Sequence, residues 1–368
     1  MVNGKFQIGI IGCGGIANQK HFPALTSLKN YCDLVAFCDI IPERAEKAAR
    51  EFGIPDAKVT TDYRELLRDG TIDEVHVLTP NKSHSEITVA ALEAGKHVMC
   101  EKPMAINSIE AKKMLDAAKR SGKKLTIGYQ NRFRRDSQYL HSICKKGELG
   151  EIYMAKAHAI RRKGVPTWGV FMDKDKQGGG PLIDIGTHAL DLTLWCMNNY
   201  KPKQVLGSTY QKLRDQVDGN LFGPWKPEEY MVEDSAFGFI KMENGASIFL
   251  EASWILNTAE SKEAKTTLHG TLAGAEMFGN SYLGTGNAGI RVSTAKDGEL
   301  IDTETIPGGA VAYFDGVALN DASIEAKQWF EAILYDREPV VLPEQAFVVT
   351  QILEAIYESS RTGKIIEF

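Results

Sequence analysis

The sequence predicts an α/β protein: a doubly wound parallel sheet at the N-terminus, then an α+β domain. Three observations carry the prediction. Through the first 128 residues, short continuous apolar runs alternate with helical periodicity. A glycine-rich turn stands between the first strand and the first helix. Beyond about residue 129 the strands change to alternating apolar and polar residues, the pattern of strands with one buried face. A chain of 368 residues is long for one core, and the change of pattern places the domains at 1–128 and 129–368.

The elements follow in order. "FQIGII" (6–11) is a buried strand and "LVAFCD" (34–39) a second. "PERAEKAAREFG" (42–53) is a helix with proline at its start and glycine past its end. "VHVLTP" (75–80), "HVMCEKP" (97–103) and "KLTIGY" (124–129) are further strands, separated by helices at 85–95 and 108–122. Asn107 caps the latter helix, with Glu110 at the capping-box position. In the second domain 151–162, 204–213, 234–242, 246–254 and 265–271 read as strands. Asn244-Gly245 marks a hairpin. The stretch 214–230 reads as a long loop. The last helix, about 343–361, is amphipathic, and its pattern leaves open which domain it packs on.

Composition excludes several classes of function. A net charge of -5 gives no general attraction to nucleic acid or to an anionic membrane, and "IRRKG" (160–164) is too short a basic run to act as one. No stretch approaches the ~20 apolar residues of a membrane span, and "IGIIGCGGIA" lacks the cleavage site of a signal peptide. The six cysteines show no CxxC pair and no metal-like spacing, so they read as small apolar residues of a reducing compartment. A cytoplasmic protein without a metal centre is expected.

Gly12-Cys13-Gly14-Gly15-Ile16-Ala17 fits G-x-G-x-x-A between the first strand and its helix. The first glycine permits a tight turn, the second lets the backbone approach a pyrophosphate, and the small third residue lets helix and strand pack closely. Free N–H groups at the helix start then face the phosphates. Asp39, at the end of the second strand, stands where a carboxylate meets the adenosine ribose hydroxyls. Together these predict a Rossmann dinucleotide site. Asp39 repels a 2′-phosphate and Ile40 and Ile41 supply no cation, so NAD is expected in preference to NADP.

"TPNKSH" (79–84), "EKP" (101–103) and "GGGPLIDIGTHALDLTLW" (178–195) follow that fingerprint in order. With it they resemble the glucose–fructose oxidoreductase / inositol dehydrogenase (Gfo/Idh/MocA) family. Lys102 ends a parallel strand, at the sheet edge where ligands bind. Asp184 and His188 lie four residues apart, on one helical face. Oxidising a secondary alcohol needs a base for the hydroxyl proton, and histidine, with an unperturbed pKa of ~6.5, suits that role. The resemblance implies that Lys102 orients and polarises the substrate hydroxyl. It makes His188 the base and Asp184 a substrate-positioning residue, with Asp191 left to hold the helix. For Asp184 a helix N-cap, and for His188 a satisfied core histidine, are the structural alternatives.

Thr79, Pro80, Asn81, His84, Glu101 and Lys102 are read as cofactor-side residues, Lys102 reaching over the nicotinamide and His84 chiefly in a structural role. Tyr129, Gln130, Asn131 and Arg132 open the second domain, where the resembling family contributes cofactor and substrate contacts; Asn131 is assigned to the cofactor, Tyr129 and Arg132 to the substrate. Arg161, Arg162 and Lys163 precede a loop at the expected pocket mouth. From that region Arg161 is expected to hydrogen-bond sugar hydroxyls and Trp168 to stack on a sugar ring; a solvated charge run and structural burial of the indole are the respective alternatives. The resemblance further implies a large open sheet in the second domain, pairing copies of the chain into dimers or tetramers. The leading expectation is an NAD(H)-dependent oxidoreductase of a ring alcohol in a sugar, glycoside or cyclic polyol. The alternative enzyme is an NAD-dependent glycoside hydrolase working by transient oxidation and elimination. A non-enzymatic NAD sensor is disfavoured by the joint presence of Lys102, Asp184 and His188.

Overall fold

The computed structural model describes residues 1–279, 288–307 and 320–368. Two compact units emerge, each described here by itself. The first combines Met1–Phe133 with a later segment ending at Phe347; the second runs from Arg134 and is completed by Val348–Phe368.

The first unit is built on β1 (Phe6–Ile11), β2 (Cys32–Cys38), β3 (Lys58–Thr60), β4 (Glu74–Val77), β5 (His97–Cys100) and β6 (Leu125–Ile127). All pair in parallel, in the order β3-β2-β1-β4-β5-β6. That is the doubly wound order with its switch point between β1 and β4, where the carboxyl ends of strands form a crevice. Every residue of β1 is buried, because helices cover both faces and leave neither to solvent. A π-helical turn, Ala17–His21, continues as α1 (Phe22–Ser27); α2 (Pro42–Phe52), α3 (Tyr63–Leu67), α4 (His84–Glu93) and α5 (Ser108–Ser121) follow. Asn107 caps α5 through Glu110 N at 2.9 Å.

Two helices complete the Arg134 side of the chain before its long helix: α6 (Arg135–Lys145) and α7 (Lys174–Gln177). There a π-helical turn, Leu182–Gly186, runs into α8 (Thr187–Met197). The second sheet contains β7 (Ile152–Ile160), β8 (Pro202–Tyr210), β9 (Ser235–Met242), β10 (Ser247–Ser253), β11 (Lys262–Gly270), β12 (Gly274–Phe278), β13 (Gly289–Lys296), β14 (Glu299–Thr305) and β15 (Ile366–Glu367). Its order is β14-β13-β12-β11-β7-β10-β9-β8-β15. Only β7–β10 is parallel among the described pairs, so this is the mixed, mostly antiparallel sheet expected. Asn244 and Gly245 lie in the β9–β10 hairpin, with Gly245 at φ +91°. The helix at 182–197 packs on β7, β10 and β11.

Two later helices close the chain, α9 (Asp321–Leu334) and α10 (Pro343–Thr362). A partition at 128/129 does not provide for α9, which belongs to the first unit. Its Trp329 and Phe330 enter that unit's core, and Phe330 stacks on Phe6 with ring centroids 5.3 Å apart. The later part of α10 packs on the second sheet. Gly207 N on β8 donates to Ser359 Oγ at 3.0 Å.

Candidate functional site

The glycine turn between β1 and the first helix is fixed by backbone approach. Gly12 has φ +99°, and a Cβ there would lie 2.6 Å from the Leu78 carbonyl oxygen after β4. At Gly14 and Gly15 a Cβ would meet nothing within 4 Å, so the turn presents bare backbone outward. Ile16 is exposed there, while Ala17 is buried against the sheet. Asp39 is 8% exposed at the end of β2. Its Oδ2 accepts from Cys13 N at 2.8 Å and its Oδ1 from Ile41 N at 2.9 Å. One bond per oxygen leaves each with further acceptor capacity. Asn18, which sequence reasoning passed over, donates to the Cys13 and Gly14 carbonyls at 3.0 and 2.7 Å and pins the turn. These features fit a dinucleotide: open backbone for the phosphates and an oriented carboxylate for ribose hydroxyls.

Thr79, Pro80 and Asn81 follow β4 at the switch point. Thr79 Oγ1 is buried without a hydrogen-bond partner, the kind of group a bound molecule satisfies. His84 is 1% exposed, and both ring nitrogens face backbone carbonyls: Nε2 is 2.9 Å from Thr79 O and Nδ1 2.8 Å from Pro103 O. It thereby ties the loop after β4 to the loop after β5. Burial lowers its pKa against the pull of both carbonyls. The ring's polar atoms are committed to the backbone, so His84 shapes the cofactor end instead of touching a ligand through them.

Glu101 also has a structural use. It is 4% exposed, and its Oε1 accepts from Lys20 Nζ at 2.7 Å and faces His21 Nε2 at 2.9 Å. Its Oε2 accepts from Lys102 N at 3.0 Å. Lys20 bridges on to Glu325 of α9 at 2.9 Å. Burial works against the Glu101 carboxylate, but Lys20 and His21 outweigh it and hold its pKa well below the usual range. Lys20 is raised by the same two acids in spite of its burial. Burial pushes His21 down to about 3, so the neutral ring gives its Nε2 proton to Glu101. Its Nδ1 then accepts from His76 Nδ1, 3.0 Å away. Glu74, beside His76 on β4, accepts from Trp329 Nε1 at 2.6 Å. Lys102 thus follows a carboxylate clamped from below, and its peptide bond to Pro103 is cis.

In the second unit Asp184 and His188 are buried at 8% and 7% exposure, and Asp191 at 1%. The π-helical turn and α8 place all three within one continuous helical stretch. Asp184 Oδ2 accepts from Trp254 Nε1 at 2.9 Å. Asp184 N donates to Gly180 O at 3.0 Å, so Asp184 stands inside the first turn and is not its N-cap.

Other expected site residues fall differently. Arg132 is 0% exposed, and its guanidinium donates to Val340 O and Gln345 Oε1 at 3.0 and 2.6 Å. Those bonds give it the role of a buried brace. Tyr129 is wholly buried and Asn131 half-buried. Arg161 forms a two-pronged pair with Glu263, both bonds at 2.6 Å, and donates to Gly164 O. Arg162 is exposed, and Lys163 Nζ donates to Gln216 O. The charge run is thus dispersed. Trp168 is 50% exposed, its ring meeting Phe222 and Phe171 edge to face at 4.9 and 5.8 Å. Phe171 in turn meets Trp254 at 6.3 Å.

No described helix is long and apolar enough to cross a membrane. Residues 6–129 match the "Oxidoreductase family, NAD-binding Rossmann fold", and residues 143–368 match the "Oxidoreductase family, C-terminal alpha/beta domain". Across 100% of the chain it is 36% identical to D-glucoside 3-dehydrogenase of Escherichia coli, of which it covers 99%. Over 54% of the chain it is 30% identical to inositol 2-dehydrogenase of Salmonella typhimurium, covering 56% of that protein. The fold is shared with a levoglucosan dehydrogenase solved with NADH and levoglucosan, at a TM-score of 0.82 and 23% identity, covering 99% of each chain. Those matches, spanning the parallel sheet with its glycine turn and the second sheet with the buried helix that carries Asp184 and His188, make the chain an oxidoreductase of the Gfo/Idh/MocA family.

Proposed function

We propose that the protein is an NAD-dependent dehydrogenase of a ring secondary alcohol in a neutral sugar, with a glucoside as the first candidate substrate. The observation that carries this reading is the full-length similarity to D-glucoside 3-dehydrogenase, which spans both units at once. Supporting it is the chemistry of the polar groups. Bound NAD supplies a hydride acceptor. Lys102, held at the end of β5 by the hydrogen bond its backbone N–H donates to Glu101 Oε2, orients the hydroxyl oxygen. His188 removes its proton, and Asp184, steadied by Trp254, hydrogen-bonds the sugar. Asp39 takes the adenosine ribose, and its negative charge is the reason to prefer NAD over NADP.

Trp168 is assigned to the sugar ring. Its half-exposed ring is braced by two edge contacts, so little side-chain entropy is lost on stacking. Arg161 acts through its pair with Glu263, shaping the loop and not the sugar. A second copy of this chain is assigned to one face of the second sheet. There Leu206, Phe239 and Phe249 lie side by side in register and stay 47%, 37% and 45% exposed. Such a patch needs cover. The free cysteines, five of them buried, suit a reducing compartment, as in the cytoplasm.

The test is a screen of methyl glucosides, free hexoses and inositols with NAD at mildly alkaline pH, read by reduced nicotinamide. Turnover on at least one ring alcohol is expected, with NAD used better than NADP. Release of the aglycone without net reduction of NAD would sink the reading.

A further inference from the structure

The three glycines that precede the buried helix raise a question that neither the cofactor nor the substrate reading answers. Gly178 ends α7 in the left-handed region at φ +86°, but Gly179 and Gly180 have no such need. Their requirement is space. A Cβ on Gly179 would lie 2.1 Å from Tyr357 Oη, and one on Gly180 would lie 2.4 Å from the Glu233 carbonyl oxygen. The chain is bare here so that Glu233 and Tyr357 can press against the start of the helix.

What they do there follows from counting donors. A helix start leaves its first backbone N–H groups without partners inside the helix, and burial makes that costly. Gly180 N donates to Glu233 Oε2 at 2.9 Å and Leu182 N to Glu233 Oε1 at 3.2 Å. Pro181 has no N–H to satisfy. Ile183 N is directed to the Tyr357 hydroxyl, and that hydroxyl donates to Glu233 Oε1 at 2.7 Å. Asp184 N already reaches Gly180 O. The donors from Gly180 to Ile183 are therefore taken by one carboxylate and one phenol, brought from β9's approach and from α10. A carboxylate is the best group for this place, since it also meets the positive end of the helix dipole. Burial pushes the Glu233 carboxyl up, opposed by the bonds from Tyr357, Gly180 and Leu182.

We propose that Glu233 and Tyr357 are positioning residues for the reaction: they fix the height and rotation of the helix start and so set where Asp184 and His188 stand. The proposal rests on the reading that Asp184 and His188 act on the substrate. Asp184 lies two residues beyond a clamped amide, and His188 one turn further. A shift of about 1 Å at a reacting group can cost on the order of 100-fold in rate.

The test is steady-state kinetics on the sugar found by the screen, with Glu233→Gln, Tyr357→Phe and Gly179→Ala. An Ile290→Ala variant, which removes a wholly buried side chain on β13, serves as a control destabilised by a core cavity. His188→Ala is assayed beside them. Glu233→Gln keeps the size but turns an NH₂ group toward a backbone donor. Its kcat is expected to fall by about tenfold or more with sugar KM raised and NAD affinity unchanged. Tyr357→Phe is expected to lose a few-fold in kcat, and Ile290→Ala nothing beyond its thermal loss. Removing the buried negative charge also favours neutral histidine, so the acidic limb of kcat/KM should move to lower pH in Glu233→Gln. If that variant does not fold, Tyr357→Phe and Gly179→Ala carry the test, because neither removes the carboxylate. Unchanged kcat and pH profile in the soluble variants, with His188→Ala inactive, would overturn the positioning role alone. An active His188→Ala would instead remove the reading beneath it.

Discussion

Replacing Lys20 by methionine isolates the charge cluster beneath the Lys102 loop. The side chain is 10% exposed and bridges Glu101 and Glu325, themselves 5% and 4% exposed, at 2.7 and 2.9 Å. Breaking a buried ion pair from one side costs about 3–5 kcal/mol, because a charge is left without compensation. Two effects pull the expectation to the lower end of that range. Glu101 keeps its bonds from His21 and from the Lys102 amide. Glu325, whose carboxyl burial already raises, escapes by taking up a proton. About 3 kcal/mol is expected, and at ~2–4 °C per kcal/mol that lowers the transition of the first unit by roughly 6–12 °C.

The pH dependence provides the sharper check. In the native protein Glu101 titrates below its ordinary range, and Lys20 titrates above its own. The first contribution to stability is present above the unfolded carboxylate pKa and is lost as pH falls through the folded value. The second is present below the unfolded lysine pKa and is lost as pH rises through the folded value. The gap between wild type and Lys20→Met should therefore be widest on a plateau from about pH 5 to 10. It should narrow as pH falls below the ordinary carboxylate range, because the unfolded chain then takes up a proton that native Glu101 beside Lys20 still refuses. Calorimetric scans across that range measure it. A drop under about 2 °C at neutral pH, or a gap that stays as wide down to about pH 2 as at pH 7, would refute the pairing argument.

His188→Ala should leave NAD affinity intact while lowering turnover by roughly 10²–10⁴, the contribution of a positioned general base; fluorescence titration and initial rates measure the two. Asp39→Ala should weaken NAD binding by about 10- to 100-fold, since a charged acceptor for the ribose is lost together with the anchor of Cys13 N; titration calorimetry reads this, and an unaltered Kd would remove Asp39 from the cofactor site. Trp254→Phe deletes the donor to Asp184 Oδ2 and takes one hydrogen bond from a buried carboxylate, so about 1–3 kcal/mol of stability should go. Sugar KM should rise in the same variant.

Much of this was legible in the sequence because local rules and tertiary use agree. The glycine turn and Asp39 could be read because a strand, a turn and a helix start impose fixed residue types at fixed spacings. Asp184 and His188 stood out as polar groups in an apolar helix. The residues that hold these elements in place were hidden, because they lie far off in sequence: Trp254 beside Asp184, Glu233 and Tyr357 at the helix start, and Glu325 and Trp329 against Lys20 and Glu74. One signal was available. Glu74 and His76 sit inside β4, all of whose residues are buried. Charged or polar residues inside a central parallel strand demand partners, and that demand pointed to an internal network. Arg132 and Arg161 illustrate the opposite limit. An arginine near a site reads as a ligand contact, and only the structure reveals that Val340, Gln345 and Glu263 already occupy the guanidinium groups.

The buried cluster has a meaning beyond stability. Replacing a buried ion network with apolar side chains of similar volume is often neutral or stabilising, so stability alone gives little reason to keep Lys20, Glu101 and Glu325. What an apolar cluster cannot do is accept a hydrogen bond from a chosen amide. Glu101 uses Oε2 for Lys102 N and Oε1 for the network below, so the loop after β5 is fixed through the same carboxylate that Lys20 ties to α9. His84 holds the next stretch of that loop from the other side, through Pro103 O. The loop backbone on either side of Lys102 is thereby held by two buried side chains, Glu101 at the Lys102 amide and His84 at the Pro103 carbonyl. Stability is exchanged here for a loop with one geometry, which the role proposed for Lys102 at a single ring hydroxyl requires.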